Sequence, residues 1–131
     1  MRRVQRLLAV DVPPGLRRSL HIPLAVLGRR CIEEHLVAGV REHGIEVHAF
    51  TLDVRDAEAV AEAIAGIPAP FSAIDVLVNN AGLSRALDPA YANEVRHIDD
   101  MVDTNVKGLL YVTGAGVPGM LERGRGHVVN I

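Results

Sequence analysis

Tryptophan is absent from this chain, and lysine and cysteine each occur once. The single thiol, Cys31, excludes an internal disulfide, and on a predicted helix it reads as a small core residue rather than a reactive one. No apolar run reaches the ~18 residues of a membrane span. The basic first residues are not followed by a clean apolar stretch and a small-residue cleavage site, so a secretory leader is not expected. The six histidines (His21, His35, His43, His48, His97 and His127) lack metal-type pairing, and no metal is expected. Net charge is only −2, which gives no general pull toward nucleic acid or an anionic membrane. A soluble, cytoplasmic protein is the expectation.

What the chain has is a core. Its 131 residues are 49% hydrophobic and 23% charged, enough for one domain. Charge is uneven: residues 1–30 hold seven arginines (Arg2, Arg3, Arg6, Arg17, Arg18, Arg29 and Arg30) against one acid, Asp11. "PLAVLGRR" (Pro23–Arg30) is a short apolar run stopped by Gly28, as in a buried strand. Cys31 to His43 carries Ile32, Leu36 and Val40 at helical spacing before Gly44. "IEVHAFTLDV" (Ile45–Val54) reads as a strand with two apolar faces. "DAEAVAEAIAG" (Asp56–Gly66) is a compact helix that Asp56 can cap and Gly66 can end. "IDVLVNN" is another buried strand, residues 93–123 are mostly helical, and "GHVVNI" (Gly126–Ile131) is a last strand. The alternation predicts an α/β fold, a parallel sheet with helices on both faces. Ligands of such sheets sit beyond the carboxyl ends of the strands. Arg29 and Arg30, Asp53, and Asn79–Gly82 follow three of those ends.

"GAGVPG" (Gly114–Gly119) matches the glycine spacing of a dinucleotide-binding turn, but it lacks the context. A phosphate loop needs a following helix whose N–H groups face the phosphates, then a crossover to a partner strand. Only twelve residues follow Gly119, and they end in a strand. The stretch therefore reads as part of a long helix with a proline bend.

A set of motifs carries a more specific signal. "LVNNAG", "LDV" at Leu52–Val54, "DTNVKGLLYVT", "PGMLERGRGHVVNI" and "GRR" at Gly28–Arg30 together resemble the short-chain dehydrogenase/reductase family over about Leu24 to Ile131. Within it they look closest to NADP-using members acting on 3-hydroxy acids such as serine. The resemblance implies an incomplete Rossmann-type doubly wound parallel sheet, cofactor-binding roles for Arg29, Arg30, Asp53, Val54, Asn80, Ala81 and Gly82, and a structural-catalytic role for Asn105. Asn79 and Asn80 suit a strand end, and Ala81 and Gly82 let the chain pass close to a flat ring, although Asn and Gly also serve plain turns. Arg29 and Arg30 offer planar donors for a 2′-phosphate or form a solvated pair. Asp53 accepts either from an adenine amino group or within a turn. Asn105 either bridges a water toward a catalytic lysine, as the family implies, or is a buried amide satisfied by backbone.

Two parts of the family pattern are missing. Residues 1–23 form a divergent segment in which Gly15 is the lone glycine and Pro13–Pro14 has no N–H to offer a phosphate. No Ser with a Tyr-x-x-x-Lys pair follows the last strand, and neither Tyr91 nor Tyr111 has a lysine four residues on. Hydride transfer to a carbonyl needs a proton donor. The expectation is a truncated oxidoreductase-family chain, residues 24–131 being a partial domain, with weak or no NADP binding and no turnover by itself. The alternative is a non-catalytic interaction module that pairs with a complete relative through the 93–123 helix. Val4–Val10 is a candidate for the first strand that the family places between the strands ending at Leu27 and Asn79; without it, unpaired edges would remain there.

Overall fold

A computed structural model describes residues 5–11, 24–26, 41–42, 46–85 and 89–131. The strands are β1 (Gln5–Asp11), β2 (Leu24–Val26), β3 (Glu46–Leu52), β4 (Val76–Asn79) and β5 (His127–Asn130). The helix expected over Cys31–His43 lies almost wholly outside the described residues; residues 41–42 are helical.

On one face of β3 Leu52 is buried and Phe50 half-buried; on the other Val47 is buried but Ala49 and Thr51 are exposed, so that second face is not apolar along its length as expected. Helix α1 (Ala57–Ala65) begins where the sequence says it should. The Asp56 carboxylate accepts from the Ala59 N–H at 3.0 Å, and the Gly66 N–H closes the last turn on the Glu62 carbonyl. Three consecutive pieces then form one rod: α2 (Val95–Val102), a π-helical segment (Asp103–Gly108), and α3 (Leu109–Glu122). Gly114–Gly119 lies inside α3 with Pro118, so this glycine pattern is helix and not a phosphate loop. Gly124, at φ 66°, turns the chain out of the helix toward β5.

β4 is the middle strand of a parallel trio. It pairs with β2 from Leu24↔Val76 to Val26↔Val78, and with β5 from Val76↔His127 to Asn79↔Asn130. β1 does not lie between β2 and β4. It runs antiparallel to β3, from Gln5↔Leu52 to Asp11↔Glu46, and lies alongside β2. The expected slot is closed by direct β2–β4 pairing, and the unpaired edges that its loss implied do not arise there. The amino-terminal strand satisfies its backbone on β3 instead, in an antiparallel pair that needs no crossover geometry.

The core gathers Leu52, Val54, Val60, Ile67, Ile74, Leu77, Val112 and Met120. The rod meets it with Thr104, Gly108, Val112, Gly116 and Met120, one residue in four and mostly small. Small residues bring the backbone close: Gly116 sits over Leu77 and Gly108 over Val54. The larger apolar residues Ile98, Val102, Val106 and Leu110 occupy the opposite, exposed side.

A β-carbon at Gly108 would stand 2.6 Å from Val54 Cγ2. Glycine to alanine inside a helix ordinarily gains about 0.5–1 kcal/mol. Here Gly108→Ala should instead cost about 1–3 kcal/mol through overpacking, read as a lower urea midpoint with an unchanged slope.

Candidate functional site

The chain leaving β4 is fixed by two amides. Asn79, 3% exposed, ends the strand and donates from Nδ2 to Thr113 Oγ1 of α3 and to Asn130 Oδ1 of β5, both at 2.8 Å. Its carbonyl accepts from the Ile131 N–H at 3.0 Å. It thus ties two strands and the rod together, largely through side chains. Its Oδ1 is buried without a partner. Asn80 then points to solvent, Ala81 packs against the core, and Gly82 passes Asn105.

Asn105 holds the next residue. Its Oδ1 accepts from the Leu83 N–H at 2.8 Å and its Nδ2 donates to the Leu83 carbonyl at 2.9 Å. This reciprocal pair uses both functions of the amide. Satisfaction by backbone is the alternative raised for this residue, although Asn105 is exposed rather than buried. It lies in the π-helical segment, so the wider turn presents the amide to the loop after β4.

The loop after β3 meets the same stretch of the rod. Val54 is fully buried against Gly108, backbone included, and presents no surface to a ligand. Asp53 takes Arg55 as a fork, with Nε to Oδ1 at 3.0 Å and Nη2 to Oδ2 at 2.8 Å. Arg55 Nη1 reaches Asp100 Oδ1 at 3.2 Å, and Arg85 Nη2 reaches Asp100 Oδ2 at 3.2 Å. The Asp53 hydrogen bonds, foremost, hold the Arg55 guanidinium above its usual range; burial opposes this, and the charges of Asp53, Asp100 and Asp103 add to it. Beside this chain an open groove of about 470 Å³ is lined by Asp53, Arg55, Asp56, Ala57, Glu58 and Asp103. Lys107 is paired with Asp103 at 2.8 Å.

The fold therefore brings Val54 and Gly82 to the Asp100–Gly108 stretch of the rod, which carries Asn105, and links Asp53 to it through Arg55, while Asn80 and Ala81 lie in the loop that leads to Gly82. Arg29 and Arg30 lie outside the described residues. Arg55, Arg85 and Asp100 were not singled out from sequence. Arg55 follows Asp53 by two residues and was open to notice; Asp100 and Arg85 meet it only in three dimensions. Among the described residues no group of three or more His, Cys, Asp or Glu is placed to hold a metal, and no helix is long and apolar enough to cross a membrane.

Comparison with known proteins matches the short chain dehydrogenase family over residues 24–131. An NADP-dependent 3-hydroxy acid dehydrogenase of Salmonella typhi is 50% identical over 104 residues, covering 79% of this chain and 41% of that protein. A serine 3-dehydrogenase of Rhizobium radiobacter is 43% identical over the same length, again 79% of this chain and 41% of the relative. The chain thus spans about two fifths of the curated relatives it matches. Among solved structures, serine dehydrogenase from Escherichia coli superposes with a TM-score of 0.58 at 49% identity, over 60% of this chain and 37% of that one. NAD+-bound xylitol dehydrogenase gives 0.69 at 32% identity, over 74% and 37%.

Asn105→Ala should leave the Leu83 backbone groups without partners. The expected cost is about 1–3 kcal/mol, with faster amide exchange at Leu83. Asn105→Asp, which keeps the acceptor and loses the donor, should fall between alanine and the native residue.

Proposed function

The chain belongs to the short-chain dehydrogenase family, and from that premise we propose that it supplies one wall of the nucleotide cleft of an NADP-dependent oxidoreductase acting on hydroxy acids. A cytoplasmic setting belongs to the same reading. One observation carries it: the loops after β3 and β4 converge on the Asp100–Gly108 stretch, with Gly82 held beside Asn105.

The described residues fit the nucleoside parts of such a cofactor. Asp53, which also accepts from the Arg55 backbone N–H at 3.1 Å, is the carboxylate proposed to meet an adenine amino group, in exchange with the donors it now holds. Val54, the next residue, backs the same wall from the inside, buried against Gly108. Ala81 and Gly82 offer polar backbone and little side chain where a flat ring or ribose would lie, with the exposed Asn80 amide beside them. Asn105 keeps that backbone in place through Leu83. The diphosphate is served less well. β2 and β4 pair directly, and the groove beside Asp53 is lined mainly by acids. Arg29 and Arg30 are the residues proposed to meet a 2′-phosphate, as the fork geometry of guanidinium suits.

A bound nicotinamide would supply or accept the hydride. This chain's own part is to position and desolvate. Among the described residues, Tyr91, Tyr111 and Lys107 lack the setting that would let them protonate a forming alkoxide: Tyr91 is 92% exposed, neither tyrosine has a lysine four residues on, and Lys107 is held by Asp103. The 131-residue polypeptide by itself is therefore proposed to bind nucleotide weakly and to turn nothing over.

The exposed side of the rod supports a second reading. Ile98, Val102, Val106 and Leu110 lie four residues apart, and all are more than two fifths exposed. An α-helix swings such a spacing around its axis, and the π segment between Val102 and Leu109, with more residues per turn, swings it back. An apolar stripe of this kind suits an interaction module that pairs with a complete relative.

Titration with NADPH and NADH should give dissociation constants above ~1 mM, worth under roughly 4 kcal/mol, with NADPH preferred if either is detected. Micromolar affinity would refute the weak-grip reading, and steady consumption of NADPH with a 3-oxo acid would refute inactivity. For the second reading, mixing with a full-length relative should shift the size distribution, and Val106→Asp should abolish the shift.

A further inference from the structure

The ion-pair chain beside the cleft is asymmetric. Arg55 gives its Nε/Nη2 edge to both oxygens of Asp53 and its Nη1 to Asp100. Arg85 gives only Nη2 to Asp100, while its Nε is buried with no acceptor. The Nε–H and Nη2–H of a guanidinium point the same way and take an oxyanion as a fork. The Asp100 carboxylate hands one oxygen to each arginine, so half of the Arg85 fork is left over. A buried donor without an acceptor is costly, and it marks a place where an acceptor is wanted.

We propose that Arg55 and Arg85 form a binding site for a phosphoryl oxyanion, and that Asp100 is the resident carboxylate standing in for it. A phosphoryl group has one oxygen more than a carboxylate. Two of its oxygens can fill the Arg85 fork while a third accepts from Arg55 Nη1. The side chains of Arg55, Arg85 and Asp100 are 27–30% exposed, so the site opens to solvent and Asp100 has room to turn away. It must turn away, because two anions cannot share the arginines. Asp53, which stays on Arg55, and Asp103, whose charge also acts on Arg55, further repel an incoming anion. Native affinity is consequently low, and Asp100 is the gate. The site rests on this geometry alone and is independent of the nucleotide reading.

The test is calorimetric titration with inorganic phosphate at constant ionic strength, with chloride as the balancing anion. Asp100→Asn should bind phosphate about tenfold more tightly than the native chain, the scale of removing two partly exposed ion pairs. Arg85→Gln in the Asp100→Asn background should erase the gain. Arg85→Lys in that background should also erase most of it, since it keeps the charge but loses the fork. Equal binding by the native and Asp100→Asn proteins, or a gain that survives Arg85→Gln, would overturn the proposal. So would absence of phosphate binding in every folded variant. Should Asp100→Asn not fold, Asp100→Ser takes its place with the same expectations. A parallel titration with glycerol 3-phosphate separates the sources: tighter binding than inorganic phosphate assigns the site to a phosphate ester, and weaker binding to the free ion.

Discussion

Gly108 rests against Val54 with no room for a β-carbon, and this close approach sets the position of the rest of the site. A helix that presents Thr104, Gly108, Val112 and Gly116 to the core can settle nearer the sheet than one presenting leucines. With the rod at that depth, Asn105 reaches the backbone of Leu83, Thr113 reaches Asn79, and Asp100 stands between two loop arginines. Any outward shift of the rod would loosen all three contacts together. The π-helical segment contributes here as well, since it turns Asn105 to the loop while Thr104 and Gly108 stay inside.

Electrostatics at the cleft is settled by pairing rather than by an excess of one sign. Asp53, Arg55, Asp100 and Arg85 alternate in charge and bridge the loops after β3 and β4. Pairs this exposed contribute little stability each. Their importance is in geometry, because a fork-held guanidinium has few orientations open to it. The same pairing leaves the groove beside Asp53 predominantly acidic, which favours amino groups over phosphates.

Much of this was legible in the residues. The helix from Asp56 to Gly66 was readable from its cap and its stop, and the rod from its length. The Gly114–Gly119 stretch could be assigned to helix because the strand starting at His127 follows too soon for the helix that a phosphate loop needs. Asn79–Gly82 and Asn105 could be marked as a set from their joint spacing. The burial side of the rod was not readable: its strongest apolar periodicity, Ile98 through Leu110, lies on the exposed side, because close packing demands small residues on the inner one. The place of the amino-terminal strand was also out of reach. Val4–Val10 reads as a strand in any sheet, and antiparallel pairing with β3 is a choice between partners that local sequence does not encode.

The sequence by itself determined the alternation of strands and helices, the family, and the residues that end each strand at the cleft, because periodicity, caps and short motifs are local. Only the tertiary structure decided that β2 pairs with β4 directly, that Asn105 closes on Leu83, and that Asp100 joins Arg55 to Arg85. Those contacts join residues far apart in the chain. Their existence depends on how deeply the rod packs and which strand edges meet, and these are properties of the assembled core.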